Sequence, residues 1–482
     1  MRNFLYFFIF LFALNVNAQS STVKVLDSLS SSPVSFATVY FSNNKGIITD
    51  GDGRFELINE QYDSNDSLFI SSMGYKKMSL KISSFKDSIV YMIPEMITLE
   101  NVVVTNRNLS SNEIIEKVKA GIEQNYQREI SEKKIFYRDE ENSKIDKIKL
   151  NKLKSSIAQV NSSILDSLLI RIPKENKGAT ETLCYYYGNL EEGNQKINLI
   201  KSRQTYKNDD EILNSINSRL KEALQENLKS NSYFKIRSGL LPFSGDLTIN
   251  DLWDVEDSTS QEAIKKAEEL ELKRKQGFAS YQKRRITNIY SNLFYNEETK
   301  LDFILNSNRY KFSDPELTYL GNQLVYVISC FPKGSKDFKG VLYVNSDDFA
   351  VMRIDFQNVK SLFKFRLLGV SRNIYLEEGR MVFSKLNNKK YSLSYFQLSL
   401  GRKTGIDRPI KVIEKNKYVK GRRKQNQISF KLDLMINSIN KQELQIFQSK
   451  TMDIKDFENI KENNKVLPEY LDEFTTNFWE EF

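Results

Sequence analysis

The sequence predicts a mainly β protein with α insertions, in which a small N-terminal β-sandwich precedes a large α+β domain with a curved antiparallel sheet. Short alternating segments separated by turn clusters recur over residues 23–93. From residue 301 onwards the runs are almost entirely of β type, and a few helical stripes interrupt the chain before them. With 482 residues, 40% of them hydrophobic, the chain can bury a substantial core and is long enough for two or three domains.

The first 18 residues have the features of a secretory signal peptide. Arg2 gives a positive start, Phe4–Leu14 is an uninterrupted apolar run, and small residues surround Ala18. We therefore expect an exported protein, periplasmic or associated with the outer membrane. The apolar run is too short to span a bilayer and no later segment approaches the needed length, so we predict no transmembrane span. For Cys184 and Cys330, buried thiols and a disulfide both remain open.

Residues 19–98 form the predicted sandwich. Val23 and Val25 show strand alternation, and turn clusters of Asn, Asp and Gly separate the later strands. Four short motifs follow one another in this segment: Val25-x-Asp27, Gly46-x-x-Thr49-Asp50, Gly53-x-Phe55-x-Leu57 and Met73-Gly74-Tyr75. Their order resembles that in the carboxypeptidase-regulatory-like domain. This resemblance implies a transthyretin-like module of exported proteins from Bacteroidetes-type bacteria, acting as an adaptor and without peptidase activity.

Residues 99–109 form the predicted linker, and residues 110–482 the large domain. Ser110-x-x-Glu113 is a capping box that predicts a helix up to about Tyr126. Apolar spacing predicts helical insertions near 143–170 and 209–229, and a highly charged helix near 260–288. Predicted strands follow; they include 301–306, 338–345, 349–357, 391–400 and 427–436.

The strands after residue 320 carry a second resemblance. Three segments carry it, namely Gly321–Ile328, Phe338–Asn345 and Ala350–Ile354. Their pattern is similar to the repeated strands of the half-barrel in outer-membrane lipoprotein carriers. The likeness lies in the pattern of strands, and it implies a fold without assigning an activity.

Histidine is absent from the whole chain. Without imidazole the chain cannot build a Ser-His-Asp or Cys-His centre, an H-E-x-x-H zinc site or a haem site with a proximal histidine. The sequence also has no Gly-Lys dipeptide for a Walker A loop and no G-x-S-x-G elbow. We therefore predict a protein that is not an enzyme, with no catalytic, cofactor-binding or metal-binding residues and no cofactor.

Nearly all of the net charge of +9 comes from residues 402–424, which carry ten Lys or Arg against two acids. For an exported protein an anionic membrane surface or glycolipid is a better partner than nucleic acid. A solvated hairpin with charged edge strands that resist aggregation is the alternative. The residues predicted to contact an anionic surface are Lys415, Lys417, Lys420, Arg422, Arg423 and Lys424.

Together these features predict a non-catalytic binding or structural protein of the bacterial cell envelope, with the sandwich as its adaptor and an envelope protein or anionic glycolipid surface as its partner. The first alternative is a lipid or glycolipid carrier that uses the concave face of the curved sheet. The second is a glycoside-active enzyme, because two carboxylates suffice for that chemistry and the chain has 62 acidic residues.

Overall fold

The computed structural model describes residues 20–28, 31, 33–34, 37–41, 46–49, 53–58, 66–72, 75–82, 88–93, 109–189, 193–206, 232–238, 241–242, 247–248, 261–320, 323–416, 418–421, 423–463 and 465–471. The predicted signal peptide and the predicted helix at 209–229 lie outside these residues. The chain divides into two compact units with the break near residue 104, and each is described by itself. Within the described ranges, no helix is both long and apolar enough to cross a bilayer.

The N-terminal unit contains seven short strands. They are β1 (Ser20–Asp27), β2 (Thr38–Phe41), β3 (Gly46–Ile48), β4 (Arg54–Ile58), β5 (Ser67–Ser71), β6 (Met78–Lys81) and β7 (Ile89–Met92). One sheet has the order β4-β1-β7 and the other has the order β3-β2-β5-β6. Both contribute fully buried side chains to one cluster, such as Val25 and Phe55 from the first and Val39, Leu68 and Ile70 from the second. The predicted small sandwich is confirmed.

Two residues of the sequence motifs in this unit, Thr49 and Gly53, have clear structural roles. The Thr49 hydroxyl is buried, donates to the Val34 carbonyl at 3.0 Å and accepts from the Ala37 amide at 2.8 Å. Gly53 has φ +72°, and a Cβ there would lie 2.5 Å from the Val25 carbonyl oxygen. Only glycine fits such a position without strain, because side chains disfavour this conformation and no space is left for one.

The second unit is built on one 16-stranded sheet whose main path follows β14-β16-β17-β18-β20-β21-β22-β8-β9-β10-β23. This confirms the predicted large antiparallel sheet, and only β23 pairs in parallel along that path. The strands are β8 (Ser131–Ser155), β9 (Glu175–Gly188), β10 (Gln195–Tyr206), β11 (Ser232–Ser238), β12 (Leu241–Pro242), β13 (Leu247–Thr248), β14 (Tyr310–Phe312), β15 (Glu316–Leu320), β16 (Gln323–Pro332), β17 (Phe338–Asn345), β18 (Val351–Asn358), β19 (Phe363–Leu367), β20 (Val370–Lys385), β21 (Tyr391–Asn416), β22 (Lys424–Thr451) and β23 (Glu469–Leu471).

Three adjacent strands, β8, β21 and β22, are each 25 to 28 residues long. Because side chains alternate between the faces of a strand and paired residues share a face, the register assigns the paired side chains to one side or the other. A bulge in β8 at Asp146 shifts this alternation by one residue, so that Ile145 and Ile148 lie on the same side. We call the side that carries Ile135, Tyr137 and Leu444 the inner face, since these residues belong to the buried core. The opposite side is the outer face.

Among the residues that the structure describes, four helices accompany the sheet, namely α1 (Ser111–Asn125), α2 (Ser162–Arg171), α3 (Gln261–Ser291) and α4 (Ile454–Asn459). The predicted capping box is confirmed, because Ser110 accepts from the Glu113 amide and the Glu113 side chain accepts from the Ser110 amide. The buried residues of α1 share one side of that helix. The predicted helix at 260–288 is also confirmed and continues to Ser291.

The prediction of a helix over 143–170 is wrong for its first half. Residues up to Ser155 continue β8, and a helix is present only from Ser162. The apolar residues Ile148 and Leu150 alternate with Lys147 and Lys149, which is the strand period. Pairing with β22 along the whole length of β8 decides the outcome. The predicted strand at 301–306 is also wrong, because these residues form buried turns.

Tyr126, directly after α1, is the centre of the aromatic core on this unit. Its ring is fully buried, with ring centroids of Phe294, Tyr295 and Phe383 within 5.6 Å. The hydroxyl donates to the Val351 carbonyl at 3.0 Å and accepts from the Val351 amide at 2.6 Å. One side chain therefore satisfies two buried backbone groups of β18.

Cys184 and Cys330 are buried free thiols, so the disulfide alternative is not realised. Burial raises the pKa of both thiols well above the usual range, because the thiolate would lose its hydration. Such thiols are unreactive and serve as core residues.

We expect Tyr126→Phe to lower the free energy of unfolding by about 1–3 kcal/mol, because it leaves two buried backbone groups unpaired. Tyr290→Phe is the matched control. Tyr290 is equally a core tyrosine, yet its hydroxyl has no hydrogen-bond partner among the described residues. This variant should stay within about 0.5 kcal/mol of wild type or be stabilised. Urea unfolding followed by circular dichroism would measure both, and equal losses would contradict the assigned role of Tyr126.

Candidate functional site: a polar pocket on the inner face

A cavity of about 720 Å³ lies between helix α3 and the inner face of the sheet. This volume is typical of pockets that bind small molecules. Its walls combine carboxylates, amides, hydroxyls and arginines with a few apolar side chains. The sheet contributes Asp139, Glu141, Ser143, Asn176, Thr180, Gln204, Leu400, Arg402 and Asn440, and the helix contributes Phe278, Tyr281, Gln282 and Arg285.

Regular secondary structure brings these residues together. Asp139, Glu141 and Ser143 occupy alternate positions of β8 and so share the inner face. The register places Asn440 of β22 directly opposite Glu141. On α3, the pocket residues recur at intervals of three or four positions between Phe278 and Arg285, which places them on one side of the helix.

Arg285 is the link between helix and sheet. Its guanidinium donates to Asp139, to the Asn440 side-chain oxygen at 3.2 Å and to the Tyr137 hydroxyl at 3.2 Å. Asn440 in turn donates to Asp139 and accepts from Gln442 at 2.9 Å. Burial raises the pKa of Tyr137 well above its usual range, so its hydroxyl stays protonated. The network fixes one wall of the pocket.

Two polar atoms in the pocket wall are left without a hydrogen-bond partner among the described residues. They are the side-chain oxygen of Gln282, a residue only 1% exposed, and Nε of Arg402. The guanidinium of Arg402 lies 3.7 Å from the Glu141 carboxylate. Both atoms are enclosed by protein atoms and are not exposed to the cavity, so they are buried polar groups of the wall whose hydrogen bonding is incomplete.

Tyr281 and Phe278 supply the apolar part of the wall. Tyr281 is 42% exposed, and Phe278 is partly buried against the core. Within the ranges that the structure describes, no group of three or more Cys, Asp or Glu side chains is placed to share a metal ion. The arrangement can hold a ligand that is polar at its edges and has a less polar face.

The sequence-predicted contact residues lie elsewhere, at the hairpin that joins β21 to β22. Lys415 and Lys424 are cross-strand neighbours there, while Lys420 and Arg423 are exposed in the connection. Lys417 and Arg422 lie outside the described residues. The structure thus brings four of the six into one hairpin and places none of them in the pocket.

Sequence reasoning missed the pocket residues. The signal was present in the alternation Tyr137, Asp139, Glu141, Ser143, a strand period that reaches the segment predicted as helical. The partners on β22 and α3 carry no local signal, because only the sheet register and the helix packing bring them to β8.

A known protein family matches part of the N-terminal unit. Residues 24–104 match the family model of the CarboxypepD_reg-like domain. This confirms the predicted resemblance of the N-terminal segment, whose two small sheets form the sandwich described above. No curated protein sequence matches the chain.

Solved structures that match the chain include the following two. A LolA superfamily protein from Nitrosomonas europaea has 9% identity and a TM-score of 0.17, with 73% of this chain and 98% of that chain covered. A domain described as an outer membrane lipoprotein-sorting protein from Vibrio parahaemolyticus has 8% identity and a TM-score of 0.20, with 71% and 95% covered. The fold described above rests on strand order and register.

We expect Arg285→Met to lower the free energy of unfolding by about 3 kcal/mol, because Asp139 would keep a largely buried carboxylate without its counter-ion. Asp139→Asn in the same chain should restore part of the loss, since it removes the unpaired charge. Lys147→Met is the control, as its pair with Asp433 is on the surface and should contribute less than about 1 kcal/mol. A double variant as unstable as Arg285→Met alone would contradict this explanation. Urea unfolding would provide the values.

Proposed function

We propose that the protein is an exported, non-catalytic binding protein of the bacterial cell envelope. In this proposal the CarboxypepD_reg-like domain is an adaptor, and the large domain binds a sugar-bearing ligand, such as the headgroup of a glycolipid, in the inner-face pocket. The observation that carries the proposal is the pocket itself, a cavity of about 720 Å³ whose wall combines carboxylates, amides, hydroxyls and arginines with the exposed aromatic side chain of Tyr281.

The ligand class follows from the chemistry of the wall. A sugar hydroxyl both donates and accepts, so it can pair with the carboxylates of Asp139 and Glu141 and with the side chains of Asn176 and Thr180. Tyr281 is 42% exposed and gives an aromatic surface for the less polar face of a sugar ring. A purely apolar ligand would displace water from these polar side chains without replacing its hydrogen bonds, which carries a penalty.

The lipid or glycolipid carrier remains the second candidate, and one observation favours it. Beyond the pocket, the inner face continues as an apolar strip. It consists of half-buried apolar side chains on neighbouring strands, which an acyl chain could cover. Towards the other end of the long strands, the aromatic core around Tyr126 fills the inner face, so that part offers no cavity for lipid. The strip consists of Ile145 with Ile436, Ile148 with Leu434 and Ile406, and Leu150 with Leu432.

A glycoside-active enzyme would need two carboxyl groups flanking a sugar, one of them protonated as the acid. Asp139 and Glu141 are the two acids of the pocket, two positions apart on β8. Each is close to an arginine, Arg285 for Asp139 and Arg402 for Glu141. Because both carboxyl groups are engaged by arginines of the wall, the arrangement favours binding over a catalytic acid and base.

The test is native mass spectrometry of the protein after gentle purification from its own envelope, followed by extraction of any bound lipid or sugar. We expect the wild type to carry a sugar-bearing ligand. Tyr281→Ala combined with Asn176→Ala should reduce its occupancy at least about tenfold, because a stacking surface and a hydrogen-bonding side chain of the wall are both lost.

Tyr91→Ala is the matched control, since Tyr91 has a similar exposure of 49% and belongs to the N-terminal sandwich. It should keep the ligand. A wild type that carries no ligand and binds none when it is offered extracted envelope glycolipids would contradict the proposal. Retention of a lipid without a sugar would favour the plain carrier instead.

A further inference from the structure

We propose that the outer face of the long-stranded part of the sheet docks on the anionic surface of a lipid bilayer. This surface is distinct from the inner-face pocket, because it lies on the opposite side of the same strands. Six exposed lysines define it, and we call it the basic face. They are Lys144, Lys147, Lys149, Lys154, Lys364 and Lys403.

The register places these lysines on one side. One row of paired residues crosses the sheet from Lys144 of β8 through Asn437, Lys403 and Asn373 to Lys364 of β19. Three lysines of three strands therefore share this row. At the other end of the face, Lys154 is in one row with Lys411 and Arg237. From Lys144 to Lys154 the face extends about 30 Å along β8, and from β19 to β8 it is about 20 Å wide.

The positive charges on this face exceed the negative ones. Three carboxylates share these rows, and each pairs with one cation: Glu175 with Lys144 at 3.3 Å, Asp433 with Lys147, and Asp407 with Lys431 at 2.7 Å. A fourth, the exposed Asp146, lies in the bulge of β8 next to Lys147. The same rows carry further positive charges but no further carboxylate. These cations are Lys149, Lys154, Lys364, Lys403, Lys411, Arg237 and Arg366. The face therefore has a clear surplus of positive charge, which complements an anionic surface.

Protection of sheet edges does not explain most of this pattern. Lysines on edge strands prevent unwanted pairing, and Lys364 lies on β19, which pairs with β20 alone. The other five lysines lie on β8 and β21, which are interior strands, so their side chains do not guard unpaired backbone groups. At the alternate, inner positions of β21 the cations are Arg402 and Arg408, neither of which is fully exposed, whereas the exposed lysines of these rows lie on the outer side.

The occupant that fits best is a planar one. The face is a sheet surface rather than a groove, and its area matches a patch of several lipid headgroups. The β21–β22 hairpin adds Lys420 and Arg423, and Tyr418 between β21 and β22 is 81% exposed. An exposed tyrosine beside cations is typical of segments that reach the membrane interface. Juxtaposed lysines each contribute attraction to an anionic bilayer within a Debye length.

The test is co-sedimentation of the full mature protein with vesicles of phosphatidylcholine alone or mixed with phosphatidylglycerol. We expect binding to the mixed vesicles only, and its loss at high salt because screening weakens the attraction. The variant Lys149→Gln, Lys154→Gln and Lys364→Gln should bind about a hundredfold more weakly, which is about fivefold for each lysine.

The matched control replaces Lys119, Lys455 and Lys461 by Gln, three exposed lysines away from the basic face. It should bind like wild type. Equal weakening in both triple variants would overturn the proposal, because it would show dependence on net charge alone. So would a wild type that ignores phosphatidylglycerol vesicles, or one that binds a DNA duplex but no vesicle. None of these outcomes depends on the occupancy of the inner-face pocket.

Discussion

The register of β8, β21 and β22 is the constraint on which the rest of the large unit depends. Nearly every residue from Ser131 to Ser155 pairs with β22, and β22 pairs with β21 over about twenty rows. A shift by one residue would exchange the two faces of a strand. Ile148 and Leu150 would then move to the lysine side, and Lys147 and Lys149 would face the apolar strip. The apolar inner positions and the charged outer positions therefore hold the register, and the register holds both candidate surfaces.

The inner face changes character along the strands. At one end the aromatic cluster around Tyr126 and the buried side of α1 fill it completely. Next comes the inner-face pocket, in whose wall Arg285 of α3 contacts Asp139 and Asn440. Further along, the half-buried apolar strip begins. Because the pocket lies between the filled core and the apolar strip, a ligand with a polar head and an apolar part could place its head in the pocket and its apolar part on the strip.

The two faces also divide the electrostatic roles. In the inner-face pocket, the carboxylates of Asp139 and Glu141 each lie close to an arginine, Arg285 and Arg402. On the outer face cations predominate and remain exposed, as Lys149 and Lys154 show. Close pairs suit the recognition of a neutral polar ligand, whereas an exposed surplus of one sign suits attraction over a distance. One sheet can thus present a binding pocket and a docking surface without competition between them.

The sequence by itself determined the mainly β fold, the N-terminal sandwich with its family, the capped helix α1 and the long helix α3. Each of these is specified by local signals, such as the Ser110–Glu113 capping box and the Gly53 turn. It did not reveal that residues 143–155 are a strand, because their spacing also allows a helical interpretation and only pairing with β22 selects between the two. Nor did it reveal the pocket or the basic face. Their residues are separated by up to about 300 positions in the chain, as Asp139 and Asn440 are, and only tertiary pairing brings such distant residues to one side of a sheet.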